Sequence, residues 1–415
     1  MRQANVGASP RKLAMALTIA VVAGSAAAQI ALAEKKYGPG ASDTEIKIGN
    51  TMPYSGPLSN VSSIGRTEAA YFKMLNDRGG VNGRKITFIS LDDAYSPPKT
   101  VEQVRRLVEQ DQVLAIFGII GTPTSAAVQR YLNERKVPQL FIQSGAPRFA
   151  DPKQYPWTMS IAPGYDDEAR VYAKYILETK PEARLGVLYQ NDDFGKAYLA
   201  GLREGLGERA AKMIVMATSY EPTDPTVDSQ IVALEASGAD VLISAAIPKM
   251  LALSIRKVYD IGWKPLHIVN FPARSIPTVL MPAGLEKSVG LISAAWAMNP
   301  GDPQWDHDPD YQAYLAFMKQ YYPAGDPNDA INLAGYGWAY TLAHVLQLCG
   351  DDLTRANVMY QATHMKGFHE PGLLPGITFN TSPTDYRPIK QFILHRFDGH
   401  QWVPITKVME ISAVQ

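Results

Sequence analysis

Residues 45–93 read EIKIGNTMPYSGPLSNVSSIGRTEAAYFKMLNDRGGVNGRKITFISLDD, and this stretch decides the fold. Ile46 to Asn50 is a short run rich in β-branched residues and predicts a strand. Arg66 to Asp77 has apolar residues at helical spacing and predicts a helix, ended by Gly79-Gly80 and a turn at Asn82-Gly83. Ile86 to Leu91 predicts the next strand. A strand, a crossover helix and a second strand form the repeating unit of a parallel sheet covered on both faces.

The same alternation continues outward. Lys99 to Glu109 and Ser125 to Arg135 predict helices, and Val113 to Phe117 and Gln139 to Ile142 strands, completing a first unit of four strands and three helices. A second series follows. Its helices are expected at Asp166 to Thr179, Phe194 to Leu206, Asp228 to Glu235 and Pro248 to Ile261. Its strands are expected at Leu185 to Tyr189, Met213 to Thr218, Val241 to Ser244 and His267 to Asn270. Two similar α/β units in succession imply two Rossmann-like lobes with parallel-sheet cores. From Tyr311 the order changes: helices at Tyr311 to Tyr321, Gly335 to Leu348 and Arg355 to Lys366 precede a strand at Gln391 to Phe397, and these elements are expected to return to both lobes. In open parallel sheets ligands sit beyond the carboxyl ends of the strands, so function is sought in those loops.

The N-terminus narrows the function classes. Arg2, Arg11 and Lys12, an apolar run from Leu13 to Ala28, and Ala31-Leu32-Ala33 together predict a secretory signal peptide over residues 1–33, cleaved after Ala33 or, alternatively, Ala28. The run is too short and too rich in small residues to span about 30 Å of hydrocarbon. An exported protein has no dependable supply of ATP or NAD(P)H. In agreement, there is no Walker-type loop, no Gly-x-Gly-x-x-Gly after a strand and no Gly-x-Ser-x-Gly elbow. The leader holds three basic and no acidic residues, so its removal leaves 37 Lys and Arg against 40 Asp and Glu, a net charge of −3. That balance does not suit nucleic-acid binding. About 380 mature residues exceed what one core usually serves. The single Cys349 cannot form an internal disulfide and is expected to be a small apolar residue in its helix.

Several short segments, in order, carry a resemblance. They are Met52-Pro53-Tyr54-Ser55-Gly56-Pro57-Leu58, Asn76-Asp77-Arg78-Gly79-Gly80-Val81-Asn82-Gly83, Leu91-Asp92-Asp93, Tyr189-Gln190-Asn191-Asp192-Asp193-Phe194-Gly195 and Asn380-Thr381-Ser382-Pro383-Thr384-Asp385. From about Glu45 to the C-terminus the chain resembles the periplasmic solute-binding proteins of branched-chain amino acid type ABC importers, the two-lobed type I binding proteins. The resemblance implies two lobes joined by three crossovers, with residues 34–162 plus 296–385 in lobe 1 and residues 163–295 plus 386–415 in lobe 2. It implies a periplasmic, monomeric receptor that binds a small-molecule carboxylate and docks on a membrane permease, with no catalytic residues, metal or cofactor. In this family the ligand's carboxylate is held after the third and fourth strands of lobe 1, here Ile120-Gly121-Thr122-Pro123-Thr124 and Gln143-Ser144-Gly145-Ala146. The chemistry agrees: small residues let the backbone approach an anion, Thr and Ser hydroxyls add donors, and a helix starting near Thr124 or Ser125 points its positive end there. Thr122, Thr124 and Ser144 are equally readable as helix-cap and turn residues.

In lobe 2 the chain departs from the amino-acid binders. Where they place an aromatic residue and then an acidic acceptor for the ligand's ammonium, this sequence reads Ala245-Ala246-Ile247-Pro248 and Asn270-Phe271-Pro272-Ala273-Arg274. A buried ammonium without a partner costs on the order of several kcal/mol, so the departure favours a carboxylate lacking an α-amino group. Phe194, Ile247 and Phe271 would line an apolar, partly aromatic slot suited to aryl or alkyl acids, such as benzoates or phenylpropanoids. Arg274 could pair a second carboxylate or a phenolic oxygen, or could face solvent or a protein carboxylate. Tyr165, with Tyr54, Tyr95, Trp157, Trp263 and Trp296, offers stacking surface or core. A branched-chain amino acid or amide receptor is the alternative, which a carboxylate in the cleft would reveal. An exported hydrolase using Asp192 or Asp193 is a more distant one. His364, His369 and the Asp302–Asp310 stretch lack metal-site spacing.

Overall fold

A computed structural model describes residues 35–410; the expected leader, residues 1–33, lies outside the described residues. The opening stretch folds as read. β1 (Glu45–Met52) pairs in parallel along its whole length with β2 (Lys85–Asp92), and α1 (Ser63–Asp77) joins them. The chain continues through α2 (Pro97–Glu109), β3 (Ala115–Phe117), α3 (Thr122–Glu134), β4 (Gln139–Ile142) and β5 (Thr158–Ser160). The five strands form one parallel sheet in the order β2-β1-β3-β4-β5. β5 corrects the expected count of four. It has only three residues and is held by pairing with β4 rather than by a sequence run of its own.

The second series runs α4 (Tyr165–Thr179), β6 (Leu185–Gln190), α5 (Asp193–Leu206), β7 (Ile214–Tyr220), α6 (Asp228–Ala236), β8 (Val241–Ala245), α7 (Pro248–Asp260), β9 (Leu266–Val269) and β10 (Ile292–Ala295). After α8 (Pro309–Tyr321), α9 (Ala330–Cys349) and α10 (Arg355–Ala362), the chain adds β11 (Gln391–Phe397), β12 (Trp402–Pro404) and β13 (Met409–Glu410). The second sheet has the order β12-β11-β10-β9-β8-β6-β7, with β13 pairing β11. It is parallel from β7 to β10 and antiparallel beyond, because the returning β11 lies against β10 in the opposite sense. The C-terminal elements therefore serve both sheets: β11 extends the second, and α9 packs on α1 of the first.

Local chemistry sets several of these boundaries. Pro97, Pro248 and Pro309 open α2, α7 and α8, where a missing N–H costs nothing. Asp308, Asp329 and Thr354 cap α8, α9 and α10 by accepting backbone N–H bonds. Gly335 lets α9 approach α1, since a Cβ there would lie 2.9 Å from the Ile64 carbonyl oxygen. Thr67 donates to Asn332 across the same contact at 3.1 Å. Core strands are continuous apolar runs: every residue of β4, β8 and β10 is buried, as a sheet covered on both faces requires. Cys349 is buried at the end of α9.

Candidate functional site

The carboxyl ends of the parallel strands of both sheets converge on a cavity of about 170 Å³, room for on the order of a dozen waters. The first sheet contributes Tyr95 after β2, Ile120 and Gly121 after β3 and Gln143 after β4; the second contributes Phe194, Ile247, Phe271 and Trp296. Of the residues singled out from sequence, Ile120, Gly121, Thr122, Tyr165, Phe194, Ile247, Phe271 and Arg274 lie on the cavity wall. Thr124, Ser144, Gly145 and Ala146 do not.

Those four lie behind the wall for a local reason. α3 begins at Thr122, three residues earlier than read, so Thr124 is already inside the helix. Its hydroxyl turns back to the carbonyls of Ile120 (2.5 Å) and Gly121 (3.0 Å). Ser144 Oγ shares a 2.6 Å hydrogen bond with Thr122 Oγ1 and accepts from Ala146 N at 3.3 Å. The Gly145 carbonyl accepts from Tyr165 N at 2.8 Å. Of the hydroxyl residues expected to hold an anion, only Thr122 is on the wall, and its hydroxyl is engaged with Ser144. Gly121, the residue before α3, has φ +97°, and a Cβ there would stand 2.3 Å from the Tyr95 ring. No side chain caps this helix, which leaves its N-terminus turned to the cavity at Gly121 and Thr122.

Aromatic rings make the opposite wall. Tyr165 meets Phe194 edge-on at 5.0 Å, and Phe271 stacks on Trp296 at 3.4 Å between centroids. Asp192 places Phe194 by capping α5, accepting from Phe194 N at 2.9 Å. Arg274 neither faces solvent nor pairs a carboxylate among the described residues. Its guanidinium donates to Ala294 O and contacts His395 Nδ1, both at 3.4 Å, and lies over the rings of Phe271 and Trp402. Burial lowers its pKa to about 9. Beneath Phe271, Glu168 accepts from Phe271 N (2.8 Å), Tyr172 Oη (2.5 Å) and Tyr198 Oη (2.7 Å), and burial pushes its carboxyl up to about 7. Arg274 and Glu168 thus brace the Phe271 loop from below, with the Arg274 head directed to protein groups.

Gln143, quoted in the expected carboxylate loop but not singled out, is on the wall, as is Glu370, which escaped the sequence reading. Gln143 donates from Nε2 to Glu68 Oε1 at 3.0 Å, and its Oε1 atom is buried without a partner among the described residues. Glu370 is 6 % exposed, its Oε2 atom likewise has no hydrogen-bond partner among the described residues, and burial alone raises its pKa to about 8. Trp338, with Leu58, Val61, Ile331 and Leu373, completes the apolar lining. Of the segments that carry the resemblance, Met52 to Leu58 gives Leu58 to this lining, a role its sequence did not announce.

Three links join the two sides around the cavity. Gln190 Nε2 donates to Tyr95 Oη (3.2 Å), Arg148 pairs Asp193 (2.7 Å), and Ser275 (2.8 Å) and Thr278 (2.5 Å) both donate to Asp329. The paired aspartates are thereby accounted for: Asp92 accepts from Ser55 and Lys99, Asp93 from Tyr95 N and Thr100, and Asp192 caps α5. Among the described residues no three His, Cys, Asp or Glu side chains form a metal-holding group, and no helix is long and apolar enough to cross a membrane.

The sequence profile of the family described as "Periplasmic binding protein" matches residues 45–401. "Leu/Ile/Val-binding protein homolog 7" of Brucella abortus (strain 2308) is 23% identical over 250 residues, 58% of this chain and 62% of that protein, so the chain spans less than two thirds of this relative. Among solved structures, a branched chain amino acid ABC transporter protein from Thermus thermophilus with bound valine superposes with a TM-score of 0.79 at 16% identity, over 89% of this chain and 97% of the other. A fatty acid ABC transporter substrate-binding protein from Thermomonospora curvata gives 0.74 at 23% identity, over 91% and 95%. Both likenesses show the fold: α/β, with parallel-sheet cores.

Proposed function

The chain belongs to the periplasmic binding protein family, and on that premise we propose that it is the periplasmic receptor of an ABC importer, which captures a small, largely apolar organic acid in the cavity between two lobes. The lobes are residues 34–162 plus 296–385 and residues 163–295 plus 386–415, and the partner is a membrane permease. The observation that carries this reading is the wall itself: Phe194, Tyr165, Phe271, Trp296 and Trp338 give it an aromatic lining, while the uncapped α3 N-terminus at Gly121 and Thr122 supplies donors. Rings are gripped by rings and alkyl groups, and an anion is met by the positive end of a helix. An aryl or phenylpropanoid acid fits both. Closure of one lobe on the other then holds the ligand. A second reading, an amino acid or amide receptor, is favoured by Glu370, a carboxylate on the wall where the sequence showed none.

A thermal-shift screen of the ligand-stripped protein against benzoates, phenylpropanoid acids, aliphatic mono- and dicarboxylates, leucine and valine tests the choice. A ligand at 100 times its Kd stabilises by about 2.7 kcal/mol, a shift of several degrees. The expected result is a response to aryl acids and none to leucine. A response to leucine or valine alone overturns the aryl-acid reading.

A further inference from the structure

Glu370 has no function in the fold that its contacts explain. It lies on the cavity wall in the segment between α10 and β11, its Oε2 is buried and unpartnered among the described residues, and no cation approaches it. A buried carboxyl oxygen without a partner is destabilising, and such groups persist where something else satisfies them. The other orphan atom on the wall, Gln143 Oε1, is also an oxygen. The wall's cation cannot answer either one, since the Arg274 guanidinium is held among Ala294, His395, Phe271 and Trp402. The polar groups that the wall leaves unmatched are therefore the Glu370 carboxyl and the Gln143 amide oxygen.

We infer that Glu370 is a specificity-determining residue, and that the ligand presents an N–H or O–H donor to its carboxyl group in addition to its own acid group. This rests on the reading of the cavity as the ligand site. The ligand class narrows to apolar acids bearing a hydroxyl or amide group, an amino group being the outcome that favours the second reading, and plain aryl or alkyl acids become the weaker binders. An ammonium would ionise Glu370 on binding. A hydroxyl or amide N–H meets it in either protonation state.

Matched probes separate these cases by calorimetry on the ligand-stripped protein: 4-hydroxybenzoate against benzoate, and leucine against 4-methylpentanoate. In the pair that binds, the donor-bearing member is expected to bind tenfold or more tightly than its partner. In Glu370→Leu that advantage falls to less than about twofold. Glu370→Gln keeps an acceptor of the same shape, so it retains the advantage of a hydroxyl and loses that of an ammonium; melting without ligand shows that each variant is folded. Equal binding within the pair, or an advantage that survives Glu370→Leu, overturns the role of Glu370 and leaves the receptor reading standing. Binding of none of the four overturns this inference, and silence of the whole thermal-shift screen overturns the small-acid reading as well.

Discussion

At the scale of single residues, the site is surrounded by carboxyl groups held away from water. Burial raises Glu168 to about 7 and Glu370 to about 8, and lifts Glu68 well above its ordinary 4.5. The folded chain therefore keeps these protons to higher pH than the unfolded chain, so stability falls as pH rises from about 4.5 through the folded values. His267 and His395 act in the opposite sense. Burial lowers both to about 3, so their contribution increases with pH up to the unfolded value of 6.5 and is constant above it. Between pH 6.5 and 8 the carboxyls act without the histidines. Urea unfolding of the ligand-free protein across that window is expected to show falling stability, by up to about 1.4 kcal/mol per pH unit for each carboxyl still titrating. Glu370→Gln should be more stable at pH 8 and show a shallower slope. Parallel profiles for the two proteins would mean that Glu370 is already ionised at neutral pH.

At the scale of elements, Asp192 shows how a strand-end carboxylate can be structural. It caps α5 through Phe194 N and Gly195 N and accepts from Gln190 Nε2 at 2.6 Å, tying β6 to the helix that carries Phe194. Asp192→Asn preserves a cap, whereas Asp192→Ala removes it at about 1 kcal/mol. Chemical denaturation should therefore separate Asn from Ala. An acid–base role would instead make both variants lose turnover alike. The same local rules explain what was readable. The strands Gln139–Ile142 and Gln391–Phe397 have the bounds their sequences predict, because each is a compact apolar or alternating run. α3 was read three residues late because Thr122-Pro123-Thr124 looks like a loop, although proline is at home in a first turn. That one shift moved Thr124 from expected ligand donor to helix back-bond. β10, Ile292-Ser293-Ala294-Ala295, carried little strand signal; pairing with β9 and β11 makes it one.

At the scale of the whole molecule, the two α/β series and the position of the cavity beyond their strand ends follow from the alternation of elements. What the alternation could not supply is which distant segments return to the site. Ile331 and Leu333 at the start of α9, and Glu370 and Leu373 after α10, reach the wall because α9 packs on α1 and β11 joins the second sheet. The change of element order after Tyr311 pointed to a return to both lobes, but no local pattern says which residues reach the wall. Asp329 stands at this junction: it caps α9 while its carboxylate takes hydrogen bonds from Ser275 and Thr278 beyond β9, linking the first sheet's helix layer to the second sheet's loops. In a receptor that closes on its ligand, such a link weights the closed arrangement. The double variant Ser275→Ala, Thr278→Val keeps the α9 cap and removes the link, leaving a buried carboxylate short of two donors. Each hydrogen bond to a charged group contributes about 1.5–3 kcal/mol, and about 1.4 kcal/mol is already tenfold, so the closed population should fall and the apparent Kd rise tenfold or more. Small-angle scattering of the ligand-free variant should show a larger radius of gyration, with calorimetry reporting the weaker binding. If both quantities match the wild type, the Asp329 link is a static brace and closure is governed by the Tyr95–Gln190 and Arg148–Asp193 contacts instead.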